Sequence, residues 1–479
     1  MSALRTAPAW GWKRWGAGRV AHVDSAAEYQ ATTVQGCGLF PFSAGSGSPI
    51  IGVPVERHQT WAEVVCLDPL AWLDAGLVTN PGVFVLGQPG TGKTALAQRL
   101  IRGMAGYGVR PLVLGDTKPD YTRTVERLGG QVIRVGRGLD TINPLDAGPL
   151  GDAARRIGGP RGVQLLAEVR GRRLASLLAL CSLVRPTGEP IRNGEEVLLG
   201  RALDVLTGTH PRKQPTVPGV LQVIRSGAAP MLQAAEVKDP AVYEELTRGL
   251  RHTLSLLCTG TLAGVFDGPT TTPINLDVPA VSVDISNVGA AGDTLVAAAM
   301  LATWAYGFGV VDASLALAEA GLAPARNYLA VMDELWRALR GAPGLVEHAD
   351  ALTRLNRNKG MAHLMVTHSL ADLDALPTAE DRAKAQGFVD RCGITVMAGL
   401  SPRETERVTD VVPLTVAERR LVESWSAPET WQAGARHPGR GKYLIKTGRR
   451  IGIPVDLTFV GDEAELYDTD KRIRAGRTP

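Results

Sequence analysis

Residues 87–94 form a complete phosphate-binding loop motif. The segment Gly87-Gln-Pro-Gly-Thr-Gly-Lys-Thr94 matches GxxxxGK[ST] at every fixed position. Glycines let the backbone turn tightly, so that successive N–H groups point inward at an anion. An apolar run at 83–86 precedes the motif, and apolar residues recur at helical spacing over 95–105. This order of strand, loop and helix predicts an α/β fold with a nucleotide site at the loop.

The predicted nucleotide-binding residues are the loop and the residue that follows it. In chain order they are Gly87, Gln88, Pro89, Gly90, Thr91, Gly92, Lys93, Thr94 and Ala95. We expect the Lys93 ammonium group to reach the β- and γ-phosphates of ATP, which makes it a catalytic residue as well. We expect the Thr94 hydroxyl to be a ligand of Mg²⁺.

Other apolar runs predict the rest of a sheet. They lie at 111–114, 132–135, 280–285, 328–332, 363–366 and 393–397, and two further runs, at 49–55 and 63–66, predict short strands. Between 151 and 260 the strand signal fades, and the apolar residues follow a helical period. Alternation of strands and helices indicates a mainly parallel sheet flanked by helices, here with an all-α insertion.

The run at 328–332 leads directly into two acids, Asp333 and Glu334. A P-loop ATPase needs an acid at the tip of a neighbouring strand to hold Mg²⁺, and a second group to orient and deprotonate the attacking water. We predict that Asp333 is the metal residue and that Glu334 is the catalytic base. The alternative is that the two acids only cap the following helix.

Two further catalytic candidates lie near the next strand. His368, with Thr367 second, follows the run at 363–366, where a polar side chain can sense the γ-phosphate. Arg357, with Arg354 second, precedes that strand and is a candidate to stabilise charge on the ATP of a neighbouring subunit. The alternatives are a surface histidine and a solvated basic turn.

Composition excludes several classes of protein. Hydrophobic residues make up 44% and charged residues 21% of the 479 residues, as in globular proteins, and the formal net charge is only +4. Of the 52 basic residues 10 are Lys and 42 are Arg, an excess that we attribute mainly to background composition. Five scattered cysteines without a CxxC pair argue against a disulfide framework or a zinc site.

Three segments raise the question of membrane or nucleic-acid contact. The charge-free stretch 295–311 is at the lower limit for a membrane span, and we predict a buried core helix instead. The arm at 1–34 carries Trp10, Trp12 and Trp15 among basic residues, and it either packs on protein or meets a membrane interface. Basic residues of the C-terminal region form a solvated surface or, alternatively, bind DNA or anionic lipid. They include Arg436, Arg440, Lys442, Lys446, Arg449 and Arg450.

The order of these motifs resembles the VirB-four-type ATPases of type IV secretion and conjugation. The resemblance is carried by GQPGTGKT, LVLGDTKPDY, LGGQVIRVG with INPLD, LAVMDELW and RNKGMAHLMVTHS, and it covers roughly 35–466. These proteins are similar to TraC-like transfer ATPases in the HerA–FtsK branch of RecA-like motors. The resemblance implies a RecA-like core, ATP and Mg²⁺ as cofactors, and a site at Lys93, Thr94, Asp333 and Glu334.

The resemblance also implies a division of the chain. It comprises an N-terminal arm (1–34), a first part of the RecA-like ATPase domain (35–149), an all-α insertion (150–262), a second part of that domain (263–450) and a C-terminal segment (451–479). Two departures stand out: His368 lies where relatives usually carry Gln, and only about 80 residues precede the P-loop, where relatives usually have a long N-terminal domain.

Three functions fit this pattern. The first is an ATPase that energises a conjugative type IV secretion system, as a homo-oligomer, expected to be a hexamer, in the cytoplasm or at the inner face of the cell membrane. Its partners would be other secretion components, and DNA is a further candidate. The second is a DNA-translocating coupling protein or an FtsK- or HerA-like motor. The third is an assembly scaffold that depends on nucleotide.

Overall fold

The computed structural model describes most of the chain after residue 47. The described residues are 48–186, 189–209, 213–260, 263–334, 336–337, 339, 359–374, 376, 378–426, 437 and 439–467. The tryptophan-rich arm, both candidate arginines (Arg354 and Arg357) and the basic residues after 467 lie outside them.

The strands of the described chain form one 11-stranded sheet. In chain order they are β1 Val53–His58, β2 Val64–Leu67, β3 Gly82–Leu86, β4 Arg110–Asp116, β5 Gln131–Arg134, β6 Val281–Asp284, β7 Tyr328–Met332, β8 Met361–Thr367, β9 Ile394–Met397, β10 Lys442–Lys446 and β11 Ile453–Asp456. Every strand that the apolar runs predicted is present, with limits that differ by a few residues. The β10–β11 hairpin is an addition, because Lys442 and Lys446 conceal its apolar alternation.

The helices of the described residues lie before, between and after these strands. They are α1 Pro69–Asp74, α2 Lys93–Gly106, α3 Thr122–Arg127, α4 Pro149–Ile157, α5 Gly159–Val184, α6 Asn193–Thr209, α7 Val217–Ser226, α8 Ala229–Ala234, α9 Pro240–Thr259, α10 Asp293–Glu319, α11 Ala371–Asp374, α12 Ala379–Arg391, α13 Pro402–Val411, α14 Val416–Ser424 and α15 Glu463–Leu466. Helices α4 to α9 occupy the chain between β5 and β6, where the sequence predicts an insertion.

The strand order determines which side chains can meet. It is β2-β1-β11-β10-β9-β3-β8-β7-β4-β6-β5, and all neighbouring pairs from β9 to β5 are parallel. The pairs from β9 through β10, β11 and β1 to β2 are antiparallel. This confirms a mainly parallel sheet and adds an antiparallel edge.

One expectation about neighbouring strands is wrong. The sequence places the acidic strand β7 directly beside the P-loop strand β3, but β8 lies between them and pairs with both. All seven residues of β8 are buried, so this strand requires a hydrogen-bonded partner on each edge. The carboxyl ends of β3, β8, β7 and β4 therefore follow one another along a single edge of the sheet.

The core lies on both faces of the sheet. Phe84 and Leu86 of β3 belong to one buried cluster, whereas Val83 and Val85 belong to the other. Alternate side chains of a strand point to opposite faces, so a strand covered on both sides reads as a continuous apolar run. The insertion helices extend the first cluster, which contains Leu180, Leu199 and Leu254 among many others.

Helix α10 is the buried core helix that the sequence predicts at 295–311. Among the described residues it is the one helix long and apolar enough to cross a membrane, and 89% of its most apolar window is buried inside the protein. Its Trp304 donates an indole hydrogen bond to the Leu114 carbonyl oxygen over 3.1 Å. A Cβ at Gly307 would lie 2.4 Å from a methyl group of Leu114, so glycine is required for this close packing on β4.

The antiparallel edge corrects the prediction for one basic residue. Lys446 is not part of a solvated surface: its side chain is 2% exposed, and its ammonium group lies 2.8 Å from the Glu418 carboxylate. Glu418 also accepts a hydrogen bond from the Gly452 N–H over 2.6 Å. The division of the chain into domains stays a prediction, but β10 and β11 pair across the limit proposed at residue 450.

Candidate nucleotide-binding site

The P-loop joins the buried strand β3 to helix α2, which begins at Lys93. Gly90 and Gly92 have φ angles of +81° and +97°, in the left-handed region that favours glycine. A Cβ at Gly90 would meet nothing within 4 Å, whereas one at Gly87 would lie 2.6 Å from the Ala398 methyl group. The glycines therefore serve backbone conformation at one point and close packing at another.

Distant parts of the chain hold the loop in place. The Tyr443 hydroxyl in β10 donates to the Gly92 carbonyl oxygen over 2.7 Å, and the Gly441 N–H donates to the Thr91 carbonyl oxygen over 3.0 Å. The Gln88 N–H donates to the Gly399 carbonyl oxygen over 3.0 Å. The loop's shape thus depends on segments more than 300 residues downstream.

The Lys93 side chain folds back against the backbone of the P-loop, to which the residue itself belongs. Its ammonium nitrogen is 2.5 Å from the Gly87 carbonyl oxygen, 3.1 Å from that of Gln88 and 3.1 Å from Nδ1 of His368. Burial lowers the pKa of Lys93 to about 8, against the opposing effect of Asp333 and Glu334. An ammonium group poor in water contacts is well suited to bind an anionic phosphate.

Asp333 follows β7, one residue beyond the end of that strand. It accepts a hydrogen bond from the Tyr121 hydroxyl over 2.7 Å and one from the Glu334 N–H over 2.8 Å. Burial raises the pKa of Asp333, and the neighbouring Glu334 charge adds to the effect. A nearby cation would favour the charged form, as expected for a residue that binds a metal.

Glu334 has an unusual backbone conformation and a fully engaged carboxylate. Its φ is +52°, in a region that few residues other than glycine adopt. One carboxylate oxygen accepts from the Lys118 ammonium group. The other lies 3.2 Å from Nε2 of His368 and 2.6 Å from the Trp336 indole nitrogen. Burial by itself would raise the pKa of Glu334, but the contacts with His368 and Lys118 outweigh it and lower the pKa.

His368 links the two halves of the site. Its Nδ1 faces Lys93, and its Nε2 faces Glu334. An ammonium group can only donate and a carboxylate can only accept, so we assign the tautomer with hydrogen on Nε2. Thr367, the second sensor candidate, is 1% exposed at the end of β8 and does not line the cleft, whereas His368 does.

Lys118 is a site residue that the sequence analysis did not single out. It lies in the loop after β4, where Asp116 accepts hydrogen bonds from the N–H groups of Lys118, Asp120 and Tyr121 over 3.3, 3.1 and 2.9 Å. Burial raises the pKa of Asp116 to about 7. The available signal was positional: LVLGDTKPDY is a buried run followed at once by polar residues, at the same sheet edge as the acids.

These groups line one cleft of about 990 Å³. The lining includes Pro89, Gly90, Gly92, Lys93, Thr94, Ala95, Thr117, Lys118, Pro119, Asp120, Ser286, Asp333, Glu334, His368, Arg440, Gly441, Tyr443, Leu457, Thr458, Phe459 and Tyr467. Gly87, Gln88 and Thr91 of the P-loop are not part of this lining; the Thr91 hydroxyl donates a hydrogen bond to the Gln88 carbonyl oxygen over 2.7 Å, within the loop. The roles of all these residues remain predictions.

The cleft fits a nucleoside triphosphate with its metal ion. An open glycine loop, a buried ammonium group and a helix N-terminus suit phosphate, and the Thr94 hydroxyl with the Asp333 carboxylate offers the oxygen ligands that Mg²⁺ prefers. The parallel sheet with this loop at its carboxyl edge defines the chain as a protein with a RecA-like P-loop fold.

Comparison with known proteins supports that class. The chain is 18% identical to VirB4 of Thermoanaerobacter pseudethanolicus, with a TM-score of 0.64 over 88% of this chain and 100% of that one. It is 14% identical to the bacterial conjugative coupling protein TrwBdeltaN70 in its trigonal form with sulphate, with a TM-score of 0.50 over 88% of this chain and 97% of that one. No protein-family model and no curated protein sequence matches the chain. The chain therefore has the fold of VirB4, as the motif order predicts.

Proposed function

We propose that this protein is a Mg²⁺-dependent ATPase that energises a conjugative type IV secretion system. The observation that carries the proposal is the convergence of Lys93, His368, Asp333 and Glu334 in one cleft, within a fold shared with VirB4. The motif order points to the same family. We further propose that it acts as a homo-hexamer at the cytoplasmic face of the membrane, with other secretion components as partners.

Each side chain has a role in this proposal. Lys93 binds the β- and γ-phosphates, and Thr94 and Asp333 hold Mg²⁺, which neutralises phosphate charge when bound. Glu334 orients the attacking water and takes its proton. Arg357, outside the described residues, is proposed to stabilise charge on the ATP of a neighbouring subunit.

The contacts of Glu334 add a condition to this mechanism. A carboxylate held by Lys118, His368 and Trp336 has a lowered pKa and is a weak proton acceptor. Lys118 lines the same cleft as Lys93, so bound phosphate competes with Glu334 for the Lys118 ammonium group. When nucleotide binds and phosphate takes the place of Glu334 at Lys118, Glu334 becomes a stronger base.

The position of His368 between Lys93 and Glu334 leads to a test with two substitutions. Loss of a hydrogen bond to a charged group costs about tenfold, so His368→Ala is expected to lower kcat of ATP hydrolysis by about that factor. His368→Gln keeps an N–H donor and is expected to stay within about threefold of the unmodified protein. The measurement is steady-state phosphate release. If His368→Gln is as slow as His368→Ala, hydrogen bonding by this residue does not determine kcat. The matched control is His252→Ala, because His252 is exposed.

A DNA-translocating coupling protein is the second candidate, because the fold also resembles that of TrwBdeltaN70. One experiment separates the two: molecular mass in solution with and without a non-hydrolysable ATP analogue, together with ATPase rates with and without DNA. A hexamer favoured by the analogue, with turnover indifferent to DNA, supports the secretion ATPase. Turnover stimulated by DNA in a salt-sensitive manner supports the translocase. Nucleotide-dependent assembly without turnover would favour a scaffold.

A further inference from the structure

One wall of the cleft is formed by a segment that no nucleotide motif explains. This segment, which we call the C-terminal wall, is residues 457–467, and Leu457, Thr458, Phe459 and Tyr467 line the cleft. The Leu457 N–H donates to the Gly441 carbonyl oxygen over 2.6 Å, and Gly441 in turn holds Thr91 of the P-loop. The wall therefore adjoins the phosphate-binding loop through a single intervening residue.

The wall is attached to helix α2, the helix that begins at Lys93. Arg99 of α2 donates to the Thr458 carbonyl oxygen over 2.8 Å and to both carboxylate oxygens of Glu463. Arg99 and Glu463 are 8% and 5% exposed, so this is a buried ion pair. The Tyr467 hydroxyl lies 3.1 Å from the same Glu463 carboxylate. The position of the wall relative to the P-loop is thus defined by buried charge.

The chemistry of the wall differs from that of the rest of the cleft. Phe459 packs against Tyr467 with ring centroids 5.6 Å apart at 84°, while 36% of Phe459 remains exposed. Leu457, which also lines the cleft, is buried. The P-loop and the acidic pair can bind a triphosphate and a metal ion. An aromatic ring and an aliphatic side chain bind neither of these. They suit a flat, apolar ring system instead.

We propose that Phe459 stacks on the base of the bound nucleotide. This inference rests on the proposed function, because it needs a nucleotide whose phosphates lie at Lys93. Covering the exposed part of Phe459 with a base removes apolar surface from water and adds an aromatic contact. The Phe459 ring has no hydrogen-bond donor or acceptor, so this stacking contact by itself does not distinguish adenine from guanine.

The test compares two probes on the full chain: a non-hydrolysable ATP analogue and inorganic tripolyphosphate, which has no base. Stacking of a base on an aromatic side chain is worth roughly 5- to 140-fold in affinity, so Phe459→Ala is expected to weaken binding of the analogue by a factor in that range. Binding of tripolyphosphate is expected to be unchanged.

Phe459→Trp, which keeps an aromatic face, is expected to bind the analogue as well as the unmodified protein does. Val460→Ala is the matched control, since Val460 is the next residue, is 59% exposed and is not part of the cleft lining.

The outcomes separate this inference from the function on which it rests. If the unmodified protein binds neither probe, the proposed ATPase function is wrong. If it binds the analogue and Phe459→Ala binds it equally well, the stacking role is wrong while the function stands. Equal weakening of both probes by Phe459→Ala would show that the side chain supports the P-loop and not the base, and it would also overturn the proposal.

Discussion

Lys93→Ala is expected to abolish nucleotide-dependent turnover while leaving the fold intact. The substitution removes an ammonium group that lies against the P-loop carbonyl oxygens of Gly87 and Gln88 and against His368. Loss of an electrostatic contact that stabilises the transition state costs at least about 100-fold in kcat. We expect binding of an ATP analogue to weaken as well, because the same group binds the ground-state phosphates. The measurements are phosphate release and analogue binding at fixed ionic strength.

The control for this substitution must remove a lysine without touching the cleft. Lys238→Ala serves, because Lys238 is exposed in the chain between α8 and α9. Thermal unfolding of both variants should match that of the unmodified protein. Burial lowers the pKa of Lys93, which means that the folded state disfavours its charge, so removal of the group is not expected to cost stability. Unchanged turnover in Lys93→Ala would contradict the assignment of this cleft as an ATPase site.

Glu334→Gln is expected to separate binding from hydrolysis. A carboxamide keeps the shape of the side chain but cannot accept the proton of the attacking water, so kcat is expected to fall by about 10²- to 10⁴-fold. Binding of the ATP analogue should be retained or tightened, because removal of a negative charge near the phosphates lowers repulsion. The measurements are single-turnover hydrolysis and analogue binding. Lys93→Ala and Glu334→Gln should therefore differ in binding although both lose turnover.

The matched control is Glu465→Gln, an exposed position in α15 outside the cleft lining. It should leave both quantities unchanged. A Glu334→Gln variant that still hydrolyses ATP at the normal rate would show that another group activates the water. Asp333 would then be the next residue to examine, since it is adjacent in the chain and lines the same cleft.

The local patterns predicted most of the secondary structure and the centre of the site. Strand β3, the P-loop and helix α2 follow from an apolar run, a glycine-rich motif and a helical period within 25 consecutive residues or so. Asp333 and Glu334 were identifiable because an apolar run that ends in two acids predicts a strand with carboxylates at its tip, which a P-loop ATPase needs. Helix α10 could be placed in the core because glycines and alanines over 295–311 favour close packing over a lipid-facing surface.

The residues that complete the site follow from contacts between distant segments. Nothing near Lys118 indicates that its ammonium group meets Glu334, 216 residues later, and nothing near Tyr443 indicates that its hydroxyl holds Gly92. The same is true of Phe459 in the cleft. Such pairings depend on the strand order, and the local patterns of a single sequence carry no information on which strands become neighbours.

The sequence by itself thus determined which elements form and which chemistry the P-loop and the acidic pair can perform, because periodicity and motif spacing act over a few turns or strands. Only the tertiary structure decided that β8 lies between β3 and β7, and so that His368 stands between Lys93 and Glu334. It also decided that the C-terminal wall, residues 457–467, lines the cleft. The physical reason is that backbone pairing in a sheet and burial of both its faces select one strand order from many that satisfy the same local patterns.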